Sequence, residues 1–148
     1  MVLASIILAA AAASEPGAVC HAPDGADLQL ELAVTEKEKR TGLMFRDVLP
    51  ADRGMLFPFD GDGTFSFHMR NTVIPLDIVW LDSSGRVADL HPDTRPCRSD
   101  PCPMYKNAKR ARAVLLVNAG YSRAHAIVPG AQLRFDGVPG FPTGTATK

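Results

Sequence analysis

The sequence predicts an α+β fold rich in β-structure: a mainly antiparallel curled or barrel-like sheet of about seven strands with two short helices. Three observations favour this fold. Short apolar runs, several of them alternating with polar residues, recur along the chain and are typical of strands. Most connections between these runs are too short for the crossovers that parallel strands need. The segments with helix-start signals are short, so we expect them at the rim of the sheet.

Seven segments carry a strand pattern. Residues 28–34 alternate apolar and polar side chains, which indicates a half-buried strand. Residues 78–81 are apolar on both faces and predict a central strand. The other predicted strands are residues 54–59, 65–70, 86–91, 112–117 and 132–135. Between them, the glycines of residues 60–63 predict a tight turn and residues 82–85 a hairpin.

Two segments predict short helices. Thr35 precedes Glu38 by three residues, which is the spacing of a capping box at a helix start. This helix is expected to end near residues 42–45. Asn118 is the predicted cap of a second helix, which would run from Ala119 to about Ala126.

The 148 residues suffice for one domain with one core. Residues 2–13 are apolar or small and uncharged, too short to span a bilayer but matching the apolar region of a secretory signal. An ordered N-terminal helix is the alternative. We therefore expect a signal peptide and flexible leader over residues 1–27, a single domain over 28–136 and a disordered tail over 137–148. The protein would be periplasmic or secreted, without a transmembrane segment.

The cysteine spacing fits an exported protein. Cys97 and Cys102 could close a small disulfide loop, which oxidising compartments permit. The competing interpretation is a zinc site formed by both cysteines and His91, for which this spacing is a weak signal. If Cys97 and Cys102 are bridged, Cys20 is the odd thiol, and we expect it on a flexible arm. We predict the disulfide, no metal and no cofactor.

Charge balance argues against nucleic acid as a partner. Lys plus Arg number 16 and Asp plus Glu number 16, so the formal net charge is zero. Nucleic-acid binders usually carry a basic surface that neutralises phosphate. The basic residues between positions 106 and 112 are interpreted as a solvated loop. The sequence carries no signal for an oligomeric state.

A polar cluster lies between two apolar segments within residues 65–82. Arg70 and Asp77 flank a turn whose side chains could hold a sugar or a carboxylate. The same Asn and Thr side chains could instead cap their own backbone. Upstream, Arg46 could bind an anion or cap the end of the first helix. The candidate ligand-binding residues are Arg46, His68, Arg70, Asn71, Thr72 and Asp77.

Five motifs resemble one known family. They are residues 43–46 (LMFR), 54–57 (GMLF), 69–72 (MRNT), 74–77 (IPLD) and 118–120 (NAG). In this order and spacing they resemble the domain of unknown function 192, or DUF192, also called UPF0127, over about residues 28–135. The resemblance implies a small β-rich domain of bacteria and archaea, often behind a signal peptide. It implies no established activity, cofactor or catalytic residues.

The chain departs from that family pattern at three places. His68 stands where the family commonly has Trp, Leu116 where a Glu is frequent, and Ala131 where an Asp is common. These departures favour binding or structure over catalysis centred on those positions.

Three functions follow from the sequence. The leading hypothesis is an exported protein that binds a small polar or saccharide-like ligand at the polar corner. The alternatives are a hydrolase with Asp77 or His68 as general base and a structural or envelope-assembly module without a ligand. No recognisable catalytic motif is present, so the sequence assigns no catalytic residues and leaves enzyme activity undecided.

Overall fold

Seven strands form one mixed sheet in the computed structural model, which describes residues 17–143. The strands are β1 (Ala18–His21), β2 (Asp27–Leu32), β3 (Arg53–Gly63), β4 (Leu76–Leu81), β5 (Val87–Thr94), β6 (Ala111–Asn118) and β7 (Arg134–Asp136). The helices are α1 (Glu36–Thr41) and α2 (Tyr121–Ala124). The strand order is β5-β4-β6-β3-β2-β1-β7. The predicted β-rich α+β class with two short helices is confirmed.

Every strand pair except one is antiparallel, as the short connections predict. The exception is β2 with β3, whose connection contains α1 and is long enough for a parallel crossover. The sheet curls without closing. Backbone hydrogen bonds from Val87 to Ala131 and from Leu133 to Gly85 bring the start of β5 close to the chain before β7.

The two faces of the sheet bury two separate apolar clusters. The pleat sends Val79 and Leu81 of β4 to one face, while Ile78 and Trp80 point to the other. The first cluster is closed by β1, β7 and the chain after α2. The second is closed by the segments between strands, and it is the face that carries the candidate site.

The segment that follows β3 differs from the prediction. Residues 60–63 extend β3 instead of turning, with a register shift between Pro58 and Gly63 that accommodates the glycines. The predicted strand over residues 65–70 is wrong. Only isolated bridges form there, Phe67 with Tyr105 and Arg70 with Cys97, because the segment lies against the proline-rich loop rather than the sheet.

The ordered domain extends beyond the predicted bounds of residues 28 and 136 at both ends. Residues 18–21, predicted as flexible leader, form β1 between β2 and β7. Cys20 is therefore buried at 1% exposure and does not lie on a flexible arm. At the other end, Val138 is buried and the Phe141 ring lies 5.4 Å from that of Phe135, so the predicted disordered tail is ordered at least to there. The predicted signal peptide, in residues 1–16, and residues 144–148 lie outside the described residues.

Asn118 does not cap the second helix. Its amide donates to the carbonyl of Leu49 at 2.8 Å, and α2 begins only after Gly120. The capping box of α1 is confirmed: Thr35 Oγ1 accepts from the Glu38 amide at 3.1 Å, and Glu38 Oε1 accepts from the Thr35 amide at 3.0 Å.

Cys97 and Cys102 lie at disulfide distance, with 5.7 Å between their Cα atoms, which confirms the predicted pair. Because this bond uses both thiols, the zinc interpretation loses its two sulfur ligands. Among the described residues, no helix has the length and hydrophobicity needed to cross a membrane.

Candidate functional site

The polar corner after residue 69 is held by its backbone. Asn71 adopts a left-handed conformation with φ of 58°, and its carbonyl accepts a hydrogen bond from the Phe45 amide at 2.8 Å. Phe45 is itself left-handed, with φ of 64°. Asn tolerates this region better than most residues do. The Asn71 side chain is exposed, so the role of this residue is conformational.

Asp77 is fully buried and its carboxylate is saturated. Oδ1 accepts from the Asp93 amide at 2.8 Å, while Oδ2 accepts from the Gly120 and Ser122 amides, each at 3.1 Å. The Ser122 hydroxyl also donates to Oδ2 in a short hydrogen bond. Asp77 therefore supplies the start of α2 with the acceptor that Asn118 was predicted to provide. It joins β4, β5 and α2 and leaves no oxygen for a substrate.

Both candidate arginines are paired with carboxylates. Arg46 Nη1 lies 2.5 Å from Glu31 Oε2 on β2. Arg70 pairs with Asp100 in the loop closed by the disulfide. Arg46 approaches the corner only through the backbone of its neighbour Phe45. Four of the six predicted ligand residues are thus placed by local contacts rather than around one cavity.

The remaining two, His68 and Thr72, line a cavity of about 430 Å³ that we call the aromatic cavity. It lies between the last turn of α1 and the segment 64–69, over the second apolar cluster. Its other walls include Phe57, Phe59, Phe65 and Phe67.

The phenyl rings form two packed pairs. Phe59 and Phe65 stack at 3.7 Å between ring centroids with an interplanar angle of 6°. Phe57 and Phe67 meet edge to face at 5.2 Å. Gly42, at the end of α1, sits where an added Cβ would lie 3.2 Å from the Phe57 ring. Glycine therefore allows α1 to end close against this wall.

His68 offers the cavity a hydrogen-bond donor. Its Nδ1 accepts from the Arg70 amide at 3.2 Å, which places the proton of the neutral ring on Nε2. Neither ring nitrogen is then a free base. Thr72 is buried, and its hydroxyl makes only a long contact of 3.5 Å to the Arg70 carbonyl. The arrangement is suited to holding a ligand by apolar contact with a few polar groups.

Side chains of α1 form the outer rim. Glu36, Lys39 and Arg40 line the cavity, and Lys39 Nζ lies 4.5 Å from the centroid of the Phe59 ring. A second cavity of about 450 Å³ lies at α1 as well, lined by residues that include Glu31, Lys37, Glu38 and Arg46.

Sequence reasoning missed the aromatic cavity. Its signal was present in the spacing of Phe57, Phe59, Phe65 and Phe67, two pairs of phenylalanines separated by the glycine-rich end of β3. The alternation of residues 65–70 predicts the pleat of a strand, whereas Phe65 and Phe67 line a wall of the cavity. Among the described residues, no group of three His, Cys, Asp or Glu side chains is placed to hold a metal ion.

The family model of DUF192, described as "Uncharacterized ACR, COG1430", matches residues 19–135. The chain belongs to this family. The predicted resemblance is therefore confirmed, and the match begins inside β1, in agreement with the ordered strand there. No curated protein is significantly similar to this DUF192 chain.

The solved structures that share the fold include proteins from two organisms. One, from Sinorhizobium meliloti 1021, is described as a "putative transcription regulator"; it is 30% identical, with a TM-score of 0.72, and the match covers 82% of this chain and 93% of that one. The other is a protein of unknown function from Novosphingobium aromaticivorans DSM 12444. It is 32% identical, with a TM-score of 0.71, and the match covers 79% of this chain and 82% of that one.

Proposed function

We propose that this DUF192 protein is exported and binds a small polar or saccharide-like ligand, with one apolar face, in the aromatic cavity. The observation that carries the proposal is the wall of four phenylalanines beside the donors His68 and Thr72. Ligand sites are typically concave and mostly apolar, with a few polar groups that set orientation. The volume of about 430 Å³ is within the range of such sites.

The proposed site is narrower than the polar corner that the sequence suggested. It retains His68 and Thr72 and leaves out Arg46, Arg70, Asn71 and Asp77, whose contacts are structural. A hydrolase is less well supported, because Asp77 has no free oxygen and His68 accepts a backbone hydrogen bond at Nδ1. The saturated Asp77 carboxylate favours a structural role for the corner itself.

A role in transcription, suggested by the description of the Sinorhizobium meliloti protein, is not proposed for this chain. Its 16 basic and 16 acidic residues balance. Of the basic residues in the loop before β6, Arg110 donates to the Asp62 carbonyl at 2.8 Å. Arg112 pairs with the Asp62 carboxylate at 2.9 Å. The Arg112 pair neutralises one of the positive charges that a phosphate-binding surface would need.

Export is supported by the apolar residues 2–13 and by the disulfide, which oxidising compartments preserve. Fractionation of bacterial cells that express the full chain tests it. We expect the protein outside the cytoplasm, and we expect deletion of residues 2–13 to retain it inside. Full-length protein confined to the cytoplasm would refute export.

Binding is tested by a ¹H–¹⁵N NMR titration of the full chain with neutral and acidic monosaccharides and ring-bearing organic acids. We expect shifts at amides around the cavity, including Gly42, Phe67 and His68. Phe65→Leu should weaken binding, because it removes one ring of the stacked pair. Phe141→Leu is the matched control, since Phe141 is also partly buried but packs on the other face.

The binding proposal fails if no compound shifts the cavity amides. It also fails if Phe65→Leu and Phe141→Leu weaken binding equally, because the weaker binding would then result from a general loss of stability and not from a change in the cavity.

A further inference from the structure

The rim of the aromatic cavity carries an excess of positive charge. Lys39 and Arg40 line it, together with the single carboxylate of Glu36. Within residues 17–143, neither cation has a carboxylate oxygen within 4.0 Å, whereas six other basic side chains do. Glu36 lies in the first turn of α1, where the helix itself favours a negative charge.

The second cavity beside α1 is balanced by contrast. Its two cations, Lys37 and Arg46, face the carboxylates of Glu31 and Glu38. Arg46 is paired with Glu31 at 2.5 Å, and Glu38 is engaged in the capping box. Two unpaired cations of α1, Lys39 and Arg40, therefore face one carboxylate in the aromatic cavity, whereas the second cavity has as many carboxylates as cations.

Lys39 combines charge with an apolar neighbour. Its ammonium lies 4.5 Å from the centroid of the Phe59 ring, and Phe59 stacks on Phe65. A ligand that packs on this wall would bring its polar substituents to Lys39 and Arg40. Hydrogen bonds between such cations and a carboxylate are about twice as strong as neutral ones.

Building on the proposed function, we propose that the ligand of the aromatic cavity is a carboxylic acid borne on a six-membered ring. The ring packs on the phenyl wall, and the carboxylate bonds to Lys39 and Arg40 while His68 donates to a ring substituent or the carboxylate. A sugar acid and an aromatic acid share this chemistry, so the experiment has an arm for each.

The test compares two acid and neutral pairs by NMR titration of the full chain: glucuronate with glucose, and benzoate with benzamide. We expect at least one acid to bind roughly tenfold more tightly than its neutral partner, the gain of one charge-assisted hydrogen bond. The pair in which the acid binds more tightly shows whether the ligand is a sugar acid or an aromatic acid. Equal affinities within both pairs overturn the charge assignment and leave the binding proposal intact. If none of the four probes shifts the cavity amides while another compound of the wider screen does, the ring-acid assignment alone fails.

Charge variants on α1 locate the effect. Lys39→Gln and Arg40→Gln should raise the Kd of the acid towards that of its neutral partner. Lys37→Gln removes the same charge from the same helix beside the second cavity and should leave the Kd unchanged. All three side chains are at least partly exposed, and α1 buries no residue, so we expect these variants to fold with an unchanged Tm.

Salt dependence gives an independent measurement. Raising ionic strength from about 0.05 M to about 0.5 M should weaken binding of the acid and spare the neutral compound, because salt screens exposed charges. Lys39→Gln should reduce this salt dependence. An equal loss of affinity with Lys37→Gln would show that net charge, not the cavity rim, attracts the acid, and would overturn the proposal.

Discussion

The amide of Phe45 donates to the carbonyl of Asn71 at 2.8 Å, and both residues hold the left-handed backbone conformation. This bond joins two of the family motifs, the segment after α1 and the corner before β4. The Asn71 side chain is exposed, so the choice of Asn at this position serves the positive φ of the backbone more than side-chain contacts.

Asn71→Ala should therefore lower the free energy of unfolding by about 1 kcal/mol, the cost of a left-handed conformation for a residue with an ordinary Cβ. Asn71→Gly should cost less, because glycine adopts positive φ without steric penalty. Urea denaturation of both variants measures the difference. If Asn71→Gly proves the more damaging, the Asn71 side chain makes a stabilising contact and its role is not only conformational.

Asp77 should be among the most sensitive polar residues. In Asp77→Asn one carboxylate oxygen becomes an amide donor, which would face either the Asp93 amide or the donors at the start of α2. The new amide donor would face a backbone N–H, which is also a donor. The substitution therefore removes a hydrogen bond to a carboxylate and leaves a buried N–H without an acceptor. We expect a loss of about 3 kcal/mol in unfolding free energy by chemical denaturation.

Asp60→Asn is the control for this change, because Asp60 is exposed on β3 and the substitution should cost less than about 0.5 kcal/mol. Equal effects of the two substitutions would contradict the role of Asp77 as the link between β4 and α2.

Local patterns predicted the parts of the fold that depend on neighbours in sequence. The capping box of Thr35 and Glu38 needs only three residues, and the apolar runs of β4 and β6 stay apolar wherever they pack. Their strands and the first helix start were therefore predictable.

The errors involve contacts between residues far apart in sequence. His21 of β1 bonds to Asp136 across 115 positions, and no local signal marks residues 18–21 as a strand. Phe67 pairs with Tyr105 of the proline-rich loop, so its alternating neighbours do not form the predicted strand. Contacts of the same kind separate the predicted ligand residues, because Arg46 and Arg70 pair with the carboxylates of Glu31 and Asp100, which sequence spacing does not associate with them.

The disulfide should stabilise the loop that borders the polar corner. The Cys97 amide donates to the Met69 carbonyl at 3.2 Å, so the closed loop is attached to the segment before Asn71. On the chain-entropy estimate, closing so short a loop contributes roughly 2 kcal/mol. We expect dithiothreitol to lower the Tm of the wild type by several degrees.

The double variant Cys97→Ser/Cys102→Ser should have a lowered Tm that no longer responds to the reductant. The thiol of Cys20 is buried, and burial raises its pKa to about 12, so it should not exchange with the pair. A wild-type Tm insensitive to reduction would show that the bond contributes little to stability.

His21 should make stability depend on pH near neutrality. Its Nδ1 lies 2.6 Å from Asp27 Oδ1 on β2, and its Nε2 lies 2.7 Å from Asp136 Oδ2 on β7. The hydrogen bond to Asp136 is the largest cause that raises the His21 pKa; the pair with Asp27 raises it further, and partial burial opposes both.

A raised pKa means that the folded chain holds the proton more tightly than the unfolded chain does. The stabilisation is fully present below the unfolded value of about 6.5 and is lost as pH rises through the folded pKa. Asp24 and Glu38 have lowered pKa values, so they titrate at acid pH, outside this window. We therefore expect the unfolding free energy to fall as pH increases above about 6.5.

Urea denaturation at a series of pH values measures this slope, and His21→Gln should flatten it because glutamine does not titrate in this range. Asp136→Asn should reduce the slope by removing the partner that contributes most, while leaving the imidazole in place. The two variants together separate the ion pair from other titrating groups. A slope that survives in His21→Gln would assign the pH dependence elsewhere, and the histidine would then join β1 to its neighbours only as a neutral hydrogen-bonding group.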